Sequence, residues 1–254
     1  MPLDQFLDVL SGPSRSLIVA NRTEPEPFQR MIEQLFDDQD VAVGETDAGQ
    51  YDDNTVVLLE DGDVVATSPL KELEQSILMI NSDLFITGTR DFDETAVPDV
   101  IDGLAEVRFT LEGYPASDTE KLLLILLSRR IERLAYETGS GTLRSSFQRL
   151  SRIDDEKGTR ETYETIVETD VDVHVYGRPD WTPSEDFGVT MHGGYKPDFQ
   201  RSWFVVFNPD TDSEHDGDGA ALLAIQVETG KWEGFWTYDQ SLVEDIAAHI
   251  RKEL

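Results

Sequence analysis

Six consecutive apolar residues, Leu122 to Leu127, are as long as any such run in the chain, and the residues around them mark a helix that the rest must fold against. Ser117 stands three residues before Glu120, the capping-box spacing in which each side chain takes up the other residue's free backbone N–H. Pro115 lies upstream, where it does not interrupt the helix. Leu123, Leu127, Ile131, Leu134 and Ala135, with Thr138 at the end, follow one helix face. Leu122, Leu124, Ile125 and Leu126 cover the other faces of the first two turns, so that end is expected to be buried all round. From Ser128 onward Arg129, Arg130, Glu132 and Arg133 make the helix amphipathic, and Gly139 supplies a left-handed stop. Past Gly139-Ser140-Gly141, the spacing of Leu143, Phe147 and Leu150 predicts a second, short helix capped by Thr142 or Ser140.

Upstream, Leu3–Leu10 reads as a short amphipathic helix, Ser16–Ala20 as a buried strand, Pro27–Phe36 as a helix and Val41–Val43 as a strand. Asp61-Gly62 between two apolar runs, 55–59 and 64–66, is a hairpin signal. Ser68-Pro69 offers an N-cap followed by proline at the first helical position, predicting a helix to about Ile80. Residues 82–97 read as loop, followed by a small helix from Pro98 and a strand over 107–111. Downstream, a helix carries Tyr163, Ile166 and Val167, and strands are predicted at 171–176, 189–192, 203–207, 222–227 and 232–237. The chain closes on a helix with a Ser241-x-x-Glu244 box and Leu242, Ile246, Ile250 and Leu254 on one face. The expected fold is α/β with a mixed sheet: a small N-terminal α/β lobe, residues 1–104, then a β-rich part, residues 105–254, packed on the long central helix.

A chain of 254 residues can bury this much without staples, and it contains no cysteine. That removes disulfides, thiolate zinc sites and cysteine nucleophiles. No basic stretch precedes an apolar run at the N-terminus and no run reaches the ~20 residues of a membrane span, so a cytoplasmic protein without membrane insertion is expected. The formal net charge is −31, with 52 acidic residues spread over the whole length. Four Trp, twelve Phe and clear apolar periodicity argue against an acidic disordered chain. A dispersed carboxylate surface suits a halophilic cytoplasm, where charges are screened within ~3 Å. It also counts against nucleic-acid binding, which needs Lys and Arg on the phosphates.

Chemistry is sparse. Asp212 to Asp218 resembles the start of a calcium loop, but its twelfth position is Leu223, where a bidentate Glu is required. None of His174, His192, His215 and His249 has the spacing of a helical zinc pair, so no metal is expected. Gly139-Ser-Gly141 lacks the lysine of a phosphate loop, and no nucleophile elbow or kinase signature occurs. No catalytic residue and no cofactor are assigned. The aromatic residues Trp203, Trp232 and Trp236 invite a ligand pocket with Arg129, Arg133 or Gln148 nearby, provided that those arginines face a cavity instead of pairing with surface carboxylates. The candidate ligand-binding set is Arg129, Arg133, Phe147, Gln148, His174, Tyr176, Trp203 and Trp236.

Ser128-Arg-Arg-Ile-Glu-Arg-Leu-Ala135, then Gly141-x-Leu-x-x-x-Phe-Gln148, Val173–Gly177, Trp203–Phe207 and Trp232–Asp239 occur in an order that resembles the DICT domain, a sensory module of diguanylate cyclases and two-component proteins. The similarity covers roughly residues 105–240 and is nearest to stand-alone haloarchaeal members with an extra N-terminal segment. It rests on packing residues, not on a chemical signature. The resemblance implies a non-catalytic signal-transduction protein that passes a small-molecule or protein signal to a signalling partner of two-component or transducer type. The competing readings are an enzyme or nucleotide-binding protein using the sheet edge near His174 and Tyr176, and an assembly module with exposed Trp and Phe residues.

Overall fold

The computed structural model describes residues 2–9, 15–23, 41–76, 97–112, 119–155, 157–182, 184, 187–210 and 219–254. The Ser117–Glu120 box with Pro115, the helix expected over Pro27–Phe36, the loop 82–96 and the acidic segment 212–218 with His215 lie outside the described residues.

The N-terminal part forms a four-stranded sheet of β1 (Arg15–Ala20), β2 (Val41–Thr46), β3 (Thr55–Glu60) and β4 (Asp63–Pro69), in the order β2-β1-β3-β4. β1 and β2 run parallel and the other pairs antiparallel. The β3–β4 hairpin turns at Asp61 (φ 50°) and Gly62 (φ 95°), the positive pair that an Asp-Gly turn supplies. One expectation is overturned here. β4 continues through Ser68 and Pro69, and the helix starts only at residue 70. Ser68 caps nothing at that helix; its buried hydroxyl accepts the N–H of Val100 at 3.2 Å, tying β4 to the short helix Asp99–Asp102.

The larger sheet has seven strands: β5 (Phe109–Glu112), β6 (Ser140–Arg149), β7 (Asp170–Arg178), β8 (Thr190–Gly193), β9 (Ser202–Asn208), β10 (Ala220–Glu228) and β11 (Lys231–Thr237). Their order is β5-β11-β10-β9-β6-β7-β8, with β6, β7 and β8 mutually parallel and the rest antiparallel. The fold is thus α/β with mixed sheets.

The stretch expected to be a second helix is β6, a central strand. Leu143 and Phe147 lie four residues apart, which is one helical turn but equally two strand repeats. Arg144 and Ser146 are buried on the opposite face, so the alternation that marks a half-buried strand is erased. Gly139 (φ 73°) ends the central helix Thr119–Thr138 as its sequence implies, with its N–H on Ala135 O at 2.9 Å. Gly141 (φ 123°) has a second reason to be glycine: a Cβ there would lie 2.6 Å from Asn208 O in β9.

The central helix and helix Lys157–Ile166 cover one face of the large sheet. Leu123, Leu127, Ile131 and Ala135 pack there on Leu143, Val173, Val205 and Trp236, in a core continuous with Leu17, Val56 and Leu58 of the small sheet. The opposite face holds the 3-10 turn Leu3–Asp8 and the terminal helix Gln240–Glu253, with Phe204, Phe235, Val243, Ile246 and Ile250 in its core. The terminal helix is capped by Asp239, whose carboxylate accepts Leu242 N–H at 3.0 Å, rather than by Ser241. An aspartate caps as well as a serine, and it stands two residues earlier.

Candidate functional site

The pairing directions bring the carboxyl ends of β6, β7 and β10 to the same rim as the amino ends of β9 and β11. Carboxyl ends of parallel strands are where α/β sheets commonly leave room for a ligand. At this rim lies a concavity of about 260 Å³ lined by Gln148, Arg149, Arg152, Arg178, Gln200, Gln226 and Trp232. Gln148 and Arg149 end β6, Arg178 ends β7, and Gln226 lies near the end of β10.

A β-bulge shapes this cup. The β6–β7 register shifts between Ser146 and Arg149, and Gln148 takes φ 50° inside the shift. A left-handed glutamine is uncommon, and here its side chain is anchored: Nε2 donates to Ser202 O at 2.8 Å while Oε1 accepts from Arg152. Ser146 Oγ donates to the same carbonyl at 3.1 Å and accepts Phe204 N–H at 2.8 Å. Past the bulge, Leu150 N–H donates to Arg178 O at 3.1 Å, and the chain crosses over Gly177, where a Cβ would lie 3.2 Å from Leu150 N. Asp180 closes the rim, accepting Ser151 N–H at 3.0 Å and lying 3.4 Å from Arg178. Burial would raise its carboxyl, but the Ser151 N–H and hydroxyl and the Arg178 guanidinium hold it below the ordinary range.

Of the eight candidate ligand-binding residues only Gln148 lines this cup, together with Trp232, one of the three tryptophans that invited a pocket. Arg129 turns inward, onto the buried Glu132 carboxylate at 2.7 Å, and Arg133 lies along the helix surface against Glu137 at 2.7 Å. Phe147 packs edge-on against Tyr163 (5.5 Å between centroids), Trp203 Nε1 donates to Ser128 Oγ at 3.1 Å, and Trp236 is buried beside Phe109. All of these lie on the central-helix side. His174 and Tyr176 project from the other face of β7, so the eight residues do not converge on one pocket. Arg149, Arg152 and Arg178 were missed, and their only signal in the sequence is that they are basic in an acidic chain.

His174 and Tyr176 belong to a second polar group. Asp172 Oδ2 lies 2.8 Å from His174 Nε2, and His174 Nδ1 lies 2.8 Å from His192 Nε2. His192 stacks on Tyr176 at 4.4 Å and 9°. Burial pushes the Tyr176 hydroxyl above its ordinary value, against the pull of buried Arg144. Burial, the neighbouring His174 and Arg144 hold His192 below the ordinary imidazole range, against the attraction of Asp172. A depressed histidine contributes stability that is present above its unfolded value and lost as pH falls below it. Between about pH 7 and about pH 5, the melting temperature is therefore expected to fall more in the native protein than in His192→Phe, which keeps the stack but cannot titrate. Parallel melting curves over that window would show that His192 is not the responsible group.

Among the described residues no group of three or more His, Cys, Asp or Glu is arranged to hold a metal ion, and no helix is long and apolar enough to cross a membrane.

Residues 100–215 match the family model of DICT, described as the sensory domain in diguanylate cyclases and two-component system. The match takes in the central helix, the bulge and five of the seven lining residues of the cup, and it ends before Trp232–Asp239. No curated protein matches the chain. Among solved structures, the crystal structure of polyphosphate kinase from Porphyromonas gingivalis shares 13% identity with it, over 65% of this chain and 27% of that one, with a TM-score of 0.38.

Proposed function

We propose that this chain, whose residues 100–215 match a sensory domain family, is a non-catalytic sensor whose stimulus is a small molecule seated in the strand-end cup. The observation that carries the reading is the anchored bulge. Gln148 is held by two hydrogen bonds in a backbone conformation that it rarely adopts, and both it and its donor Arg152 line the cup. A ligand that recruits Gln148 or Arg152 competes with those bonds and loosens the hold on Ser202. The residue after Ser202 is Trp203, which bonds Ser128 on the central helix. Occupancy would thereby reach the helix, and a cytoplasmic signalling protein of two-component or transducer type would read its position. The arginines and amides of the cup are groups that bind, and none is a nucleophile held by a base.

The test is a thermal-shift screen of metabolites in concentrated potassium chloride. A ligand at a hundred times its dissociation constant stabilises the native state by ~2.7 kcal/mol, or roughly 5–10 °C in a chain of this size. The shift is expected to disappear in Gln148→Ala, and hydrogen exchange in the central helix is expected to change on binding. A screen without a hit, or a hit of equal size in Gln148→Ala, would refute the reading.

A second reading, an enzyme at the Asp172–His174–His192 chain, is favoured by the depressed His192. It is the weaker one, because neither His174 nor His192 lines this cup or the wide groove between β4 and Tyr238. The assembly reading relied on exposed Trp and Phe residues; among the described residues the exposed large apolar side chains are valines and tyrosines.

A further inference from the structure

We infer that the ligand of the cup is a small, multiply charged oxyanion, a phosphoryl or polycarboxylate group held by Arg149, Arg152 and Arg178. The inference rests on the cup being the ligand seat and names the chemistry that the seat accepts. The chain has 52 acidic and 21 basic residues, so an average patch of its surface carries more than two carboxylates for each cation. The cup reverses this: its described lining residues are three arginines, three glutamines and a tryptophan, with no carboxylate among them. Arginines elsewhere, such as Arg15, Arg108, Arg129, Arg133 and Arg160, each lie against a carboxylate. In the cup, Arg149 makes no ion pair among the described residues, and Arg178 reaches Asp180 only at 3.4 Å. That carboxylate is already committed to the N–H and hydroxyl of Ser151.

Three planar guanidinium forks around one small space match the oxygens of a phosphate or of paired carboxylates, which they bind two bonds at a time. A concave basic spot in an otherwise anionic surface also concentrates the local field on its occupant. The amides of Gln148, Gln200 and Gln226 add neutral donors and acceptors for hydroxyl or carbonyl groups on the remainder of the ligand. Size and shape narrow the class further. At about 260 Å³ the space falls below the ~300–1,000 Å³ of pockets for drug-sized ligands. Trp232 is 3% exposed and lines the wall without offering an open ring face, so the cup has no platform on which a nucleobase could stack.

The experiment is isothermal titration of the full chain in potassium chloride with pyrophosphate, with citrate, and with ribose as an uncharged control. Saturable binding of at least one of the two anions at one equivalent is expected, with none for ribose. Arg149→Gln and Arg178→Gln should each weaken it about tenfold or more, the loss of one charge-assisted contact. Arg160→Gln, a surface residue paired with Asp154 and Glu164, should leave it unchanged. Which anion saturates tells a phosphoryl from a carboxylate ligand. Heat that never saturates, or equal affinity in Arg149→Gln and in the native protein, overturns the inference. If the anions fail while an uncharged metabolite gives a shift that Gln148→Ala abolishes, the cup remains the seat and only the charge assignment falls. If neither binds, both fall.

Discussion

Leu127→Asp is expected to abolish folding. Leu127 is 1% exposed, in the middle of the central helix and inside the core shared by both sheets. The substitution removes about 1.5–3 kcal/mol of apolar burial. It also forces a carboxylate into a space without a partner, at a further cost of several kcal/mol. Together these consume a large part of the ~5–15 kcal/mol by which domains are stable. Loss of the near-ultraviolet circular dichroism and of a cooperative melt would show it. A soluble variant with the native melting curve would mean that this helix face does not pack on the sheet.

Arg129→Met is expected to cost about 3–5 kcal/mol, the penalty for stranding a buried charge. Glu132 is 3% exposed, 2.7 Å from the Arg129 guanidinium, and accepts the Tyr163 hydroxyl at 3.1 Å. Burial, reinforced by the Glu132 charge and opposed by Arg129, pushes that hydroxyl well above its ordinary value. Without Arg129, the carboxylate retains a neutral partner only. The double change Arg129→Met with Glu132→Gln removes the stranded charge and should recover most of the loss; guanidinium titration of the single and double variants measures both. Equal stability of the two variants would show that the pair is not coupled.

Glu132 illustrates which features the sequence made legible. Its position on the amphipathic part of the helix reads as solvated, because the residue that buries it, Tyr163, arrives from another helix. The strands β7, β9, β10 and β11 were readable from their apolar content, and the central helix from its periodicity and Gly139. β6 was not, since a strand buried on both faces carries no alternation and its Leu143–Phe147 spacing fits two periods at once. Sequence spacing also grouped Trp203, Trp236, Arg129 and His174 as one set, whereas strand parity sends His174 to the far face. The cup was hidden for a related reason. Arg149 and Arg178 are distant in sequence and meet only through parallel pairing and a one-residue bulge.

The pairing of β5 sets a schedule for folding. β6 and β7 join through a local helical crossover, whereas β5 pairs among the described residues with β11 alone, Leu111 opposite Trp232, more than a hundred residues away. Such distant contacts are slow to close, because the loop entropy is spent before the pairing returns it. A growing chain would therefore form the β6–β7 unit early and carry β5 as an unpaired edge until its last strands are made. The stretch matched by the family model stops short of β10 and β11, so a fragment cut at residue 215 would leave β5 without a partner and β9 as an open edge.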